Sequence, residues 1–351
     1  MDTRQIYSDA LWPYLLAFLP PAYEALAEQH QALRRCRKVP NAAALLRMIL
    51  VYALTDLSLK DVAAWAAAGQ IAAISGPALF YRIRDAEAWL SALLAEILAR
   101  DVAPIASGRR RVRLVDATVL TGPGATGTEW RVHTMADPVT GRFCAVELTN
   151  AAGGETLARY PLQADDLVLG DRGYAHARGI ARVVNQHGQV IVRANPQAIR
   201  LCRPDRTVFS VLAEQEAVPT TGVMEWEILI PVPPDTGTRS HKSWALSHAQ
   251  HWIPARMGGV RARTGEVIWV LTTVPAAELS MERCYALYRV RWQVELVFKR
   301  LKSLLHLDAL PSRQGPTARS WILGRLVAAA IAQQLLRPSG GFSPWGYPLS
   351  E

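Results

Sequence analysis

Apolar residues recur at helical spacing over Ala43–Leu54, Leu59–Ala68 and Trp89–Leu98, so residues 6–100 predict a run of short helices. Ser58 stands just before Leu59, with Asp61 at the third helical position, the spacing of an N-terminal cap with a reciprocal acid. Gly69 and the Ser75-Gly76-Pro77 cluster punctuate the segment. Such a run suits either a helix-turn-helix module that enters a DNA groove or a helical bundle that packs on something else. Beyond a short linker at Asp101–Ser107 the pattern changes. Val112–Leu120, Trp130–Met135 and Phe143–Thr149 predict strands, with turns at Gly122–Gly127 and Asp137–Gly141. Glu155–Tyr160 reads as a short helix, Leu167–Gly170 as a strand, His176–Gln186 as a helix and Val190–Arg193 as a strand, together an α/β layer. Residues 196–265 are rich in Pro, Thr and Gly, with alternation in Met224–Ile230, and predict a β-rich insertion. Val267–Val274 is a further strand, Glu278–Leu305 the longest helix, and Ser320–Leu336 a last helix before coil.

Composition narrows the class. Of 351 residues half are apolar and a fifth charged, which excludes a disordered or collagen-like chain and suffices for a buried core. The formal charge of +9 points to an anionic partner, nucleic acid or membrane surface. Five of the 39 basic residues are Lys, so an Arg-rich bias is the alternative source of that charge. The excess divides as +1, +3, 0 and +5 over residues 1–100, 101–200, 201–275 and 276–351, so two windows carry nearly all of it. Cys36, Cys144, Cys202 and Cys284 lack metal-ligand spacing and read as reduced thiols of a cytosolic protein. The start, Met-Asp-Thr-Arg-Gln, has no signal-peptide pattern. The apolar runs 42–54 and 321–336 are broken by Arg47 and Arg325 and fall short of the ~20 residues that span a bilayer.

Candidate chemistry begins on the long helix. Tyr288, Arg291, Glu295 and Lys302 fall within an arc of roughly 60° at about 100° per residue. Val290, Val294, Val297, Leu301 and Leu304 form a separate apolar arc. The polar stripe reads either as a solvated face with ion pairs or as a functional face. Two further acids bear on the choice. Asp116 lies in the apolar run Leu114-Val115-Asp116-Ala117, and Asp171 ends Leu167-Val168-Leu169-Gly170-Asp171. A carboxylate in a strand must be paired or ligate something. Each could be structural, Asp171 as a turn cap and Asp116 as a partner of an Arg. Three carboxylates converging from two strands and a helix would instead make a hard-oxygen site suited to Mg²⁺. Two such ions about 3.5–4 Å apart would activate a water or 3′-hydroxyl and stabilise the leaving oxygen in phosphoryl transfer.

These residues resemble the DDE transposases of the insertion-sequence-four family. Tyr288, Arg291, Glu295 and Lys302 match that family's Tyr-x2-Arg-x3-Glu-x6-Lys signature. Leu114-Val115-Asp116-Ala117-Thr118, followed by Gly127-Thr128-Glu129-Trp130-Arg131-Val132-His133, is similar to its first motif, and Gly170-Asp171-Arg172-Gly173-Tyr174 to its second. The resemblance covers roughly residues 40–310. It implies an α/β fold with five regions. These are a helical DNA-binding region at 1–107, an RNase H-like catalytic core at 108–195, a β-rich insertion at 196–265, completion of the core at 266–310 and a helix-and-coil tail at 311–351. It implies that Asp116, Asp171 and Glu295 hold two Mg²⁺ ions, with Mn²⁺ as a substitute. Tyr288, Arg291, Lys302 and Arg172 would contact DNA. Trp269 would stack on a flipped base, its alternative being a core aromatic within a strand. Arg131 and His133 sit in a family motif without an assigned role.

The implied partners are the element's terminal inverted repeats and target DNA, bound by a homodimer in a synaptic complex. The implied setting is the bacterial cytoplasm, in association with the nucleoid. The implied reaction is cut-and-paste transposition. The rival readings are a nuclease of the same fold without strand transfer and a decayed copy that only binds DNA; membrane-surface binding lacks a basic amphipathic helix. Two features depart from the family pattern. The N-terminal window is nearly neutral, and the sequence ends in coil at Pro344–Glu351 where relatives often continue into helices used for dimer contacts, so a truncated chain is one expectation.

Overall fold

The computed structural model describes residues 11–34, 36–99, 110–122, 124, 127–138, 140–194, 199–234, 248–291, 307, 310 and 315–335. The linker at 101–107, the second half of the long helix and the tail beyond 335 lie outside the described residues.

The helical region begins with α1 (Leu11–Leu16) and α2 (Tyr23–Gln29). In α3 (Ala42–Leu54) the Asn41 side chain accepts from Ala44 N at 2.8 Å and caps the first turn. In α4 (Leu59–Ala68) Ser58 and Asp61 form the reciprocal cap that their spacing predicts. A fifth helix, α5 (Gly76–Asp85), grows out of the Gly-Pro cluster read above only as a turn. Pro77 sits in its first turn, where the missing N–H has no intrahelical partner to lose. The sixth, α6 (Glu87–Ala99), buries Trp89, Leu90, Leu93, Leu94, Ile97 and Leu98.

An eight-stranded sheet follows in the order β3-β2-β1-β4-β5-β8-β7-β6. Its strands are β1 (Arg111–Leu120), β2 (Trp130–Asp137), β3 (Arg142–Asn150), β4 (Asp166–Gly170), β5 (Gln189–Arg193), β6 (Met224–Val232), β7 (His251–Arg261) and β8 (Val267–Thr272). Strands β1, β2 and β3 form an antiparallel meander, while β1, β4 and β5 run parallel. Helix α7 (Ala177–Asn185) crosses from β4 to β5. Strands β8, β7 and β6 add antiparallel to β5. The β-rich segment therefore extends the central sheet.

The sequence does not mark β7, and its Pro and glycines explain why. Pro254 pairs only with Leu229 of β6, since the ladder to β8 begins at Arg256, so no bond to β8 needs its missing N–H. A Cβ on Gly258 would come within 2.6 Å of Met281 Sδ, and one on Gly259 within 3.0 Å of the Trp269 ring. The two glycines thus let neighbouring side chains close over the strand.

Two further helices are described, α8 (Met281–Val290) and α9 (Gly315–Leu335). Ser280 caps α8 through Arg283 N at 3.4 Å. Buried Arg256 of β7 ties down the segment that enters α8. It donates to Val274 O at 2.8 Å and Leu279 O at 2.7 Å and pairs with Glu225 at 2.7 Å. Helix α9 packs along α6, α3 and α5. Arg319 pairs with Glu87 at 2.6 Å, and Gln334 Nε2 donates to Ile97 O at 3.2 Å.

Strand alternation makes two cores, one on each face of the sheet. Leu114, Leu167, Leu169, Ile191 and Val270 face a core shared with α2–α6, α8 and α9. Val115, Val168, Val190, Val192 and Leu271 face the other, with Leu157, Ile180 and Val183. The N-terminal helices share one core with α9 and the sheet, although the sequence reads them as a region of their own. Their apolar stripes need a partner face, and α9 with the sheet supplies it. Among the described residues no helix is long and apolar enough to cross a membrane.

Candidate active site

The parallel register brings Asp116 and Asp171 together. Leu114 pairs with Leu169, and the same offset carried two residues further sets Asp116, midway along β1, beside Asp171, the residue that follows β4. Gly170 pairs with Val192, so Arg193, the last residue of β5, continues the row, and Arg193 pairs with Val270 of β8. Asp116 and Arg193 share the parity of Leu114 and Ile191, which face the helical core, and Asp171 follows Leu169 by the same step. Tyr285, Leu287 and Tyr288 of α8 pack against that core. The row thus opens beneath the helix that carries Tyr288 and leads to Arg291.

Each carboxylate is held by local backbone. Asp116 Oδ1 accepts from Ala117 N at 2.9 Å. Asp171 Oδ1 accepts from Gly173 N at 2.7 Å and caps the single turn 172–174. The turn-capping role open to Asp171 is therefore present, and among the described residues it occupies one of the two oxygens. Burial pushes the Asp116 carboxyl up to about 6, and the Asp171 and Glu155 charges add to the rise while Arg291 opposes it. Glu155 itself is raised by burial and by Asp171, with Arg131 opposing. Burial lifts the Tyr288 phenol, while Arg291 and Arg193 favour its ionised form. The Arg291 guanidinium lies 5.6 Å from the centre of the Tyr288 ring.

Under the acids lies a closed phenol pair. Tyr160 and Tyr174 hydroxyls are 2.9 Å apart, and Tyr160 also donates to Asp116 O at 3.4 Å. Burial raises both phenols, so both stay neutral. His133 is a fully buried prop, its Nε2 2.9 Å from Thr149 Oγ1. Burial and the charges of Arg159 and Arg131 lower it to about 4, so it too is neutral near pH 7. A separate cavity of about 470 Å³ lies against α6 and β3, lined by Arg113, Cys144, Glu147 and Asp166 among others. Arg113 follows the parity opposite to Asp116, and its charge is met by Asp137 at 3.1 Å and Asp166 at 3.4 Å.

The residues singled out in the sequence divide into three groups. Asp116, Asp171, Tyr288 and Arg291 are brought to one neighbourhood, and Arg172 stands exposed beside Asp171. Glu295 and Lys302 lie outside the described residues. Trp269 takes the core-aromatic alternative left open for it. It is 6% exposed, its ring 5.5 Å from that of Trp226 and closed over by Gly259, so it is a core aromatic of β8. Two residues of the site escaped the sequence reading. Arg193 bears the same signal as Asp171, a charge ending an apolar strand, and could have been found by it. Glu155 carries no such signal.

Asp116 and Asp171 supply two hard oxygen donors of the kind a divalent cation takes. The Asp171 charge raises both Asp116 and Glu155, and Glu155 adds to the rise at Asp116. Convergent carboxylates of this kind cost free energy until a cation offsets them. Among the described residues no three His, Cys, Asp or Glu side chains stand close enough to hold a metal ion together, and Glu295 is outside that set.

Comparison with known proteins bears on the same residues. The family model of the transposase DDE domain matches residues 107–331. The transposase InsL assigned to insertion sequence element IS186A of Escherichia coli K12 is 33% identical over 361 residues, spanning 96% of this chain and 97% of that protein. The transposase for insertion sequence element IS421 of Escherichia coli is 33% identical over 362 residues, with the same coverage of 96% and 97%. Among solved structures, a piggyBac transposase synaptic complex with hairpin DNA aligns with 96% of this chain and 81% of its own, at a TM-score of 0.42 and 9% identity.

Proposed function

The chain belongs to the transposase DDE-domain family, and we propose that it is the Mg²⁺-dependent transposase of a bacterial insertion sequence of the insertion-sequence-four type. In this reading β1–β5 form an RNase H-like core, and Asp116, Asp171 and Glu295 hold the cations. Mn²⁺ would serve as a substitute. When bound, the cations would supply an activated water or 3′-hydroxyl and stabilise the leaving oxygen. Tyr288, Arg291, Lys302, Arg172 and Arg193 would hold DNA phosphates beside the acids. The enzyme would act on both terminal inverted repeats as a dimer, cutting the element out and joining it to target DNA.

The observation that supports this best is the approach of Asp116, within β1, to Asp171, just past the end of the parallel neighbour β4, with Arg193 at the end of β5 next in the row. An assay with labelled element ends, target DNA and Mg²⁺ tests it. Strand-joined products are expected. Cleaved ends that are never joined would leave a nuclease instead, and bound but uncut ends a DNA-binding protein. For Lys302, a substitution to Ala should weaken end binding and reduce the salt slope of log affinity by about 1. An unchanged slope would remove Lys302 from the phosphate contacts.

A further inference from the structure

The loop between β3 and β4 is built to deliver one side chain. Arg131 Nη1 donates to Gly153 O at 2.8 Å, and Arg159 Nε donates to Gly154 O at 2.9 Å. Gly153 N donates to Asn150 O at 3.0 Å and closes the turn. A Cβ on Gly153 would collide with Thr149, the residue that His133 props from below. The next side chain after these two glycines is Glu155. Its carboxylate reaches Gly173, where a Cβ would collide with Oε2 and come within 3.1 Å of Asp171 Oδ1. Gly173 is therefore the space through which Glu155 comes alongside Asp171. No hydrogen bond or ion pair meets the Glu155 carboxylate among the described residues.

A loop pinned by two arginines, and two glycines that let it close, hold one acid beside another, with the Arg131 charge as a partial offset and no hydrogen bond or ion pair on its carboxylate among the described residues. A fold does not gain stability that way. From this geometry we infer that Glu155 is a fourth carboxylate of the DDE site, acting through a water molecule on a divalent cation held by Asp116 and Asp171. The inference rests on the reading of those two residues given above. Mg²⁺ keeps several of its waters when bound, and a carboxylate one water away fixes their orientation. Glu155 is thus a positioning residue, distinct from the Asp116, Asp171 and Glu295 set.

Mn²⁺ binding to the full chain without DNA tests this, read from the electron paramagnetic resonance of free Mn²⁺. Glu155→Gln should weaken Mn²⁺ affinity on the order of tenfold. Without metal, its melting temperature should equal or exceed that of the parent, because a like charge has been removed. Gly173→Ala, which expels the carboxylate while keeping it in the chain, should lower Mn²⁺ affinity as well. Parent-like Mn²⁺ affinity in Glu155→Gln overturns the inference, and so does a lower melting temperature without metal, which would make Glu155 a structural residue. Asp116→Asn and Asp171→Asn serve as references. If they abolish Mn²⁺ binding while Glu155→Gln leaves it intact, only the role of Glu155 falls. If they too leave it intact, the reading of the whole site falls.

Discussion

Asp171→Asn is expected to lose end cleavage and strand joining by on the order of a thousandfold or more while binding element ends nearly as well as the parent. The choice of Asn isolates charge from architecture. Asp171 Oδ1 accepts from Gly173 N at 2.7 Å and shapes the turn 172–174, and the amide oxygen of Asn can accept the same bond. Backbone, turn and the close approach of Glu155 are then retained, and only the negative charge proposed to face the cation is gone. In the proposed reading end binding rests on cations such as Arg291, Arg193 and Arg172, which the substitution leaves in place. Cleavage of labelled ends and gel retardation, measured on the same preparation, separate the two properties. Cleavage near the parent rate would remove Asp171 from the reacting centre and leave it as a turn cap. Asp116→Asn and Glu295→Gln should lose cleavage to a similar extent.

How far the site could be read from the chain depends on what kind of contact made it. Asp116 and Asp171 each betray themselves as a charge in an apolar run, a local signal. Their adjacency is not local. It follows from β1 and β4 being parallel neighbours with Leu114 opposite Leu169, and nothing in either run states that offset. Glu155 is hidden more deeply, because its position depends on a glycine 18 residues later and on two arginines that hold the carbonyls of Gly153 and Gly154. Trp269 shows the reverse. Its strand was legible, but whether the ring faced a base or the core depended on Trp226 and Gly259, which reach it only through the sheet. The elements missed, α5 and β7, both contain Gly and Pro where these are usually breakers. Pro77 sits in the first turn of its helix, and Pro254 beyond the β8 ladder, the two places where a missing N–H costs nothing.

Asp116→Asn should raise stability in the absence of divalent ions, and the sign of its pH dependence follows from the site. In the unfolded chain an Asp titrates near 3.9. In the folded protein burial, Asp171 and Glu155 carry Asp116 up to about 6 against the pull of Arg291. Between those two values the folded state keeps a proton that the unfolded chain has released. Folding therefore loses stability as pH rises through the window of about 4 to 6, and the loss is complete above it. Asn carries no such charge, so the variant and the parent should melt alike near pH 4 in this respect. They should diverge to roughly 3 kcal/mol in favour of Asn at pH 7.5. Thermal melts in a chelating buffer across pH 4–8 measure the divergence, and parallel curves would mean that Asp116 is not held against its charge. Adding Mg²⁺ or Mn²⁺ should then close the gap from the parent's side alone, because a ligand that binds only the folded parent stabilises it in proportion to the logarithm of its concentration. A carboxylate that destabilises the empty protein and stabilises the loaded one is kept for the cation, which is the property that separates a catalytic acid in a strand from a structural one.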